Sequence, residues 1–178
     1  KFLILNSSFL IAILLMVSCG KKADQTTAEN DTVAVEVEET PAAEENMYID
    51  FTAVTPEGKE LSLSDLVGKT DYVLVDFWAT WCGPCKREIP NLRQIYKDFG
   101  DKITVLSVAV WDKREATEKF IKQNDMPWNH IVDAQQIPTD AYGISGIPQI
   151  ILFAPDGTIV KRDLRAEQIR QPLEEVLK

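Results

Sequence analysis

The sequence predicts an α/β fold in which a buried sheet is flanked by helices, and three observations carry that prediction. Residues 72–78 and 103–110 are nearly continuous apolar runs, the composition of strands covered on both faces. Apolar side chains at helical spacing follow the first run, at Ile89, Leu92, Ile95, Tyr96 and Phe99, and a helix-start signal follows the second. Strands alternating with helices imply a mainly parallel sheet. One domain is expected for 178 residues, because the first forty-odd lack the makings of a core.

Taken in order, residues 48–54 alternate apolar and polar side chains, Pro56-Glu57-Gly58 signals a turn, and Leu61-Ser62-Leu63 resumes the pattern. A hairpin therefore precedes the main sheet. Ser64-Asp65-Leu66-Val67-Gly68 reads as a helical turn closed by glycine, and the strand over 72–78 is expected at the centre. The next helix should begin at Cys82 or Gly83 and reach Phe99, with a kink at Pro90. After 103–110, Asp112 is expected to cap a helix running to about Asn124, with Glu115 as its capping partner. A short strand over 128–132 and a turn or short helix over 138–142 come next. Ile150-Ile151-Leu152-Phe153 and Thr158-Ile159-Val160, joined by Asp156-Gly157, form a hairpin at one side of the sheet. Ile169, Leu173, Val176 and Leu177 mark a last helix, whose start Pro172 limits.

Two cysteines three positions apart, Cys82-Gly83-Pro84-Cys85, stand where the central strand gives way to its helix. A thiol attacks a disulfide only as the thiolate, and the unpaired N–H groups and positive dipole end of a helix favour an anion there. Gly83 permits a tight approach, and Pro84 suits an early helical position where its missing N–H costs nothing. Cys82 is expected to be exposed and nucleophilic. Cys85 lies one turn on, close enough to form a disulfide with it and to resolve a mixed one. The spacing alone leaves a zinc half-site or a structural turn open.

The amino-terminal part has a different character. Phe9 begins an unbroken apolar run that ends in Met16-Val17-Ser18-Cys19-Gly20, too short for a membrane span and of the kind that directs export. It resembles a bacterial lipoprotein signal (residues 1–19), in which a cysteine after small residues is lipidated; Met16 departs from the Leu that such signals prefer. The resemblance implies lipidation of Cys19 and a lipid anchor on the periplasmic side of a bacterial membrane. Gly20 in place of Asp favours the outer membrane under the usual sorting rule. Residues 20–47 are rich in Glu, Asp, Thr and Ala and read as a disordered acidic tether, followed by the folded domain over 48–178. The tether takes eight of the 28 acidic residues, so most of the net charge of −9 lies outside the domain. With no basic patch interleaved with aromatics, nucleic acid is excluded as a partner. Once Cys19 is assigned to lipid, only Cys82 and Cys85 remain of the three cysteines.

Beyond the cysteine pair, the sequence resembles the thioredoxin superfamily. Trp81-Cys82-Gly83-Pro84-Cys85-Lys86 matches its active-site run, Asp76 falls where it carries a buried acid, Pro90 where its helix is kinked, and Gly143-Ile144-Ser145-Gly146-Ile147-Pro148 on its cis-proline segment. The lipoprotein-like start, the first hairpin, the extra helix and strand between Asp112 and Val132, and Glu88 in Cys85-Lys86-Arg87-Glu88-Ile89-Pro90 are similar to the membrane-tethered TlpA and ResA branch. The resemblance implies a thioredoxin fold, a mixed sheet flanked by helices, with an amino-terminal hairpin and a central αβ insertion. It further implies an exported thiol:disulfide oxidoreductase that needs no cofactor beyond its own dithiol. Two departures bear on proton handling. The ResA branch commonly has Asn where Asp76 stands, and thioredoxins carry a lysine near the buried acid where this chain has Ser107.

On this reading Cys82 attacks, Cys85 resolves, and Asp76 is the candidate base that deprotonates Cys85, directly or through a water, since a buried carboxyl has a raised pKa; otherwise it is a structural acid hydrogen-bonded to backbone. Glu88 tunes the dithiol or touches substrate, or else is an ordinary surface glutamate. Pro148 carries over as the cis-proline set against the dithiol, with Ile147 offering its backbone to a substrate peptide. Trp81, Gly83 and Pro84 belong to the substrate surface, with Trp78 joining Trp81 in an apolar rim. His130 is read as packing. The Gly-Pro dipeptide and Ile147 resemble thioredoxin rather than the oxidases of this fold, which points to disulfide reduction. The expected partners are oxidised exported proteins, apocytochrome c among them, and a membrane thiol transporter that supplies electrons. Two other classes fit less well. A peroxiredoxin-like peroxidase places Pro and Thr at fixed positions before its cysteine, and residues 76–81 contain no Pro; a Sco-like copper chaperone wants CxxxC with a partnering histidine.

Overall fold

The computed structural model describes residues 46–69 and 71–178. The signal segment, Cys19 and the tether up to residue 45 lie outside the described residues. Asn46 donates to the carbonyl of Ile159 at 3.0 Å, and Met47 forms a bridge with Thr158. The chain is therefore joined to the sheet from Asn46 onward.

A two-stranded antiparallel hairpin, β1 (Thr52–Val54) and β2 (Glu60–Ser62), opens the fold and runs into a 3-10 turn over Leu63–Asp65. Five further strands make the main sheet: β3 (Tyr72–Trp78), β4 (Ile103–Ala109), β5 (Asn129–Ile131), β6 (Gln149–Phe153) and β7 (Ile159–Lys161), in the order β5-β4-β3-β6-β7. β3 is central, as the apolar run predicts. β3, β4 and β5 are parallel, while β6 runs antiparallel to β3 and β7 to β6. The sheet is thus mixed, as the family resemblance implies, where strand–helix alternation alone suggests a mainly parallel one. No helix stands between β6 and β7, so the chain has no crossover with which to return in the parallel sense, and the Asp156-Gly157 turn reverses it instead.

The helices are α1 (Gly83–Phe99), α2 (Arg114–Gln123), α3 (Ile137–Ala141) and α4 (Arg170–Val176), the last preceded by a 3-10 turn over Ala166–Ile169. α1 continues through Pro90, whose side chain is exposed while Cys85, Ile89, Leu92 and Ile95 form the buried stripe. Pro172 falls within the first turn of α4, where its missing N–H costs little.

Alternation along β3 sorts its side chains between two cores. Val73, Val75 and Phe77 join the first hairpin, α3, Ile151 and Phe153 on one face, with Phe51, Phe77 and Tyr142 in ring contact. Leu74, Asp76 and Trp78 point to the other, where Leu74 and Trp78 pack with α1, α4, Ile150, Leu152 and both cysteines. The sheet places one carboxylate on the face that carries the cysteines. None of the helices in the described residues is long and apolar enough to cross a membrane.

Candidate active site

The site is assembled where β3 ends and α1 begins. Cys82 is the N-cap of α1 in extended conformation, and Gly83 and Pro84 follow at the first two helical positions. Cys82 and Cys85 are joined in a disulfide with their Cα atoms 5.3 Å apart. Cys82 Sγ accepts a hydrogen bond from the Cys85 N–H at 3.1 Å. One free donor of the helix start is therefore aimed at the sulfur that would carry charge after reduction.

Cys82 is 4 % exposed and Cys85 2 %, so the expected exposure of Cys82 is not met in the oxidised state. The bond to Cys85 draws the side chain into the cluster that holds Trp78 and Ala79. Trp78 is likewise core, at 1 % exposure, and not part of a rim. Trp81 alone stands out, 59 % exposed, held by its indole N–H donating to the Trp111 carbonyl at 3.0 Å. It flanks an open groove completed by Trp111, Asp112, Lys113 and Gln136.

Asp112 has a different task from the one its sequence position suggests. Lys113, not Asp112, is the N-cap of α2. The Asp112 carboxylate instead accepts from the Thr80 N–H at 2.5 Å and from the Lys113 N–H at 2.8 Å. It ties the loop before Cys82 to the end of β4. A local capping pattern has lost here to a contact 32 residues away.

Asp76 is buried on the α1 face, and burial pushes its carboxyl up to about 7. Against that act the hydrogen bond that Oδ2 accepts from Ser107 at 3.2 Å and the charge of Arg165; the charge of Glu88 pushes the same way as burial. Ser107 faces Asp76 in the β3–β4 register. A carboxyl of this kind exchanges its proton near neutral pH.

The Ile147–Pro148 peptide is cis. Pro148 is buried at the entrance to β6, and because Gln149 pairs with Phe77, it comes level with the end of β3 from which the cysteine loop departs. Ile147 is half-buried and packs against both cores, including the one that holds the cysteines. Arg165 and Asn91, which the sequence does not mark, hold this edge in place together with Glu88. Arg165 donates to the carbonyls of Pro148 and Leu164. Glu88, far from an idle surface group, accepts from the Ala166 N–H at 3.0 Å, while Asn91 donates to the Ala166 carbonyl at 2.8 Å. The segment before α4 is thus strapped to α1 on one side and to the cis-proline on the other. Arg165 could not be found by pattern, since it sits in an irregular segment and its Pro148 partner lies 17 residues away.

His130 is buried in β5, its Nε2 within 3.0 Å of the Met126 carbonyl and its ring against Trp128, in line with a packing role. Burial lowers its pKa. Among the described residues no three His, Cys, Asp or Glu side chains converge so as to hold a metal ion.

A cysteine pair in a CXXC disulfide at a helix start, on a thioredoxin-like α/β fold, defines a thiol-disulfide oxidoreductase, and the comparisons with known proteins agree. The AhpC/TSA family matches residues 45–162, well over half of the chain, and the protein belongs to that family. It is 30% identical over 129 residues to the thiol-disulfide oxidoreductase ResA of Bacillus thuringiensis subsp. konkukian, covering 72% of this chain and 73% of that one. To ResA of Geobacillus thermodenitrificans it is 31% identical over 143 residues, covering 78% and 81%. The thioredoxin domain of a thiol-disulfide oxidoreductase from Bacteroides vulgatus superposes with a TM-score of 0.67 at 30% identity, over 74% of this chain and 96% of that one. The protein is a thiol-disulfide oxidoreductase of the ResA/TlpA type.

Proposed function

We propose that the protein is an exported, lipid-anchored disulfide reductase. The observation that carries the chemistry is the Cys82–Cys85 disulfide at the start of α1, with an N–H on the Cys82 sulfur and a carboxyl of pKa about 7 on the same face of the sheet. In the reduced protein, Cys82 Sγ⁻ attacks one sulfur of a substrate disulfide. The substrate S–S bond breaks, a mixed disulfide forms, and the departing substrate thiolate takes up a proton. Asp76 then accepts the proton of Cys85, whose sulfur attacks Cys82 Sγ; the second substrate thiolate leaves, and the Cys82–Cys85 disulfide is restored. Two electrons have passed to the substrate.

The Gly83-Pro84 dipeptide and Ile147 before the cis-proline support the reducing direction, by their likeness to thioredoxin. Pro148 and Ile147 offer backbone to an extended peptide beside the disulfide, with Trp81, Gly83 and Pro84 as the facing surface. Each turnover leaves the pair oxidised, so a membrane thiol transporter must return the electrons. Oxidised exported proteins are the substrates, apocytochrome c being one candidate. The signal-like start and Cys19 support an anchor on the periplasmic side, with Gly20 favouring the outer membrane. Reduction of insulin disulfides by the dithiothreitol-primed protein tests this. Turnover of insulin that Cys82→Ser abolishes is expected; consumption of hydrogen peroxide without insulin reduction would overturn it.

A further inference from the structure

Asp76 has a second, fully protein-lined side. The Trp128 indole Nε1–H donates to Ser107 Oγ at 2.9 Å, and Ser107 Oγ–H donates to Asp76 Oδ2 at 3.2 Å; all three residues are buried. One end fixes the direction of this chain. An indole nitrogen can only donate. Ser107 Oγ must therefore accept from Trp128, which leaves its single hydrogen for the carboxylate. Trp128 is buried and its ring packs on two others, with centroids 5.9 Å from Tyr96 and 5.8 Å from His130, which restrains it from turning away. Asp76 Oδ1, by contrast, is buried and has no hydrogen-bond partner among the described residues.

The two oxygens of the carboxyl are thus unequal. A proton on Oδ2 would meet the Ser107 hydroxyl hydrogen and force it off its acceptor, a loss that a buried polar group makes costly. A proton on Oδ1 disturbs none of these bonds. We propose that Trp128 and Ser107 are positioning residues that hold Asp76 Oδ2 as a permanent acceptor and leave Oδ1 as the oxygen that takes up and returns the thiol proton. In the step itself Cys85 Sγ–H loses its proton to Oδ1, the charge moves from carboxylate to sulfur, and no electrons change hands. The assignment deepens the reductase reading and rests on it for the role of Asp76. The hydrogen-bond chain itself needs no substrate. It takes the place of the lysine that thioredoxins carry near this acid, so a neutral donor acts where they use a cation. The charged groups that act on Asp76 are Glu88 on α1 and Arg165 before α4, and the His130 ring lies against Trp128.

The test is a pH titration of the oxidised full chain in detergent by NMR, following the Trp128 indole N–H, assigned by its loss in Trp128→Phe, and the Asp76 carboxyl carbon. The indole signal is expected to move with the same midpoint as the Asp76 carboxyl, and to lose that step in Asp76→Asn, which separates it from any response to His130. In Ser107→Ala the indole should stop following, and the Asp76 midpoint should rise by about one pH unit, the low end for a hydrogen bond to a charged group because this one is long. The pH profile of insulin reduction should shift with it. An indole signal flat through the Asp76 titration, or a folded Ser107→Ala protein with an unmoved midpoint, would overturn the proposal. If Ser107→Ala does not fold, the wild-type and Asp76→Asn titrations decide alone. A coupled indole in a protein that does not reduce insulin would count against the reductase reading and not against the chain.

Discussion

The two faces of the sheet are built from the same strands with different materials. Toward the hairpin and α3, β3 and β4 present Val73, Val75, Phe77, Leu106 and Val108, and the core there is apolar and aromatic. Toward α1, the same strands place Asp76 and Ser107 among Leu74, Trp78, Ile103 and Val105, beside a disulfide. A pleated strand alternates its side chains, so one change of residue type alters one face and leaves the other intact. The hairpin face holds the fold together; the α1 face accepts a carboxyl that opposes folding at neutral pH in return for a proton that can move.

That division can be broken in several places. The largest effect should come from Cys82→Ser, which is expected to lower insulin reduction by at least about 10³-fold, with thermal unfolding compared against the wild-type protein reduced by dithiothreitol. Phe77→Ala, on the opposite face, should cost about 3–5 kcal/mol in urea unfolding by opening a cavity beside Phe51 and Tyr142, while the Asp76 midpoint stays in place. A Phe77→Ala variant that moved that midpoint would show that the faces are not independent.

Asp76→Asn should act in the opposite sense. The unfolded chain releases the Asp76 proton near 3.8 and the folded one holds it to about 7, so the folded state binds more protons in that window and stability falls as pH rises through it. With a shift of about three units, the amide should stabilise the oxidised protein by about 4 kcal/mol above pH 7 and by close to nothing below pH 4. Urea unfolding at both pH values checks the sign as well as the size. The smallest effects belong to the strap. Glu88→Gln should lower the Asp76 midpoint and Arg165→Gln should raise it, each at a cost on the order of 1 kcal/mol in stability for the main-chain contact weakened. Shifts in the same direction would mean that the two charges do not face Asp76 as described.

Much of this arrangement was legible in the sequence because its signals are local. The apolar run of β3, the stripe of α1, the Cys82-Gly83-Pro84-Cys85 spacing and the segment ending in Pro148 each lie within a few neighbouring residues. What was not legible depends on partners brought together by folding. Asp112 reads as a helix cap beside Glu115, yet Thr80, in the loop that leaves the neighbouring strand β3, offers it an N–H. Ser107 reads as a missing lysine, and only the register of β4 and the position of Trp128 make it a donor to Asp76. Trp78 and Trp81 look alike as aromatics near a strand end, but strand alternation buries the first and the loop turns the second outward. The reversal of β7 against β6 was legible in the Asp156-Gly157 turn, whereas the antiparallel pairing of β6 with the central β3 is set by tertiary contacts that no local pattern marks.

The reducing direction of the Cys82–Cys85 pair is tested most directly by its reduction potential, measured by equilibrating the full chain with dithiothreitol or glutathione buffers and counting free thiols. A value near about −270 mV, in the range of thioredoxin, is the result expected of a reductase; a value near about −120 mV, in the range of DsbA, would make the pair an oxidant and contradict it.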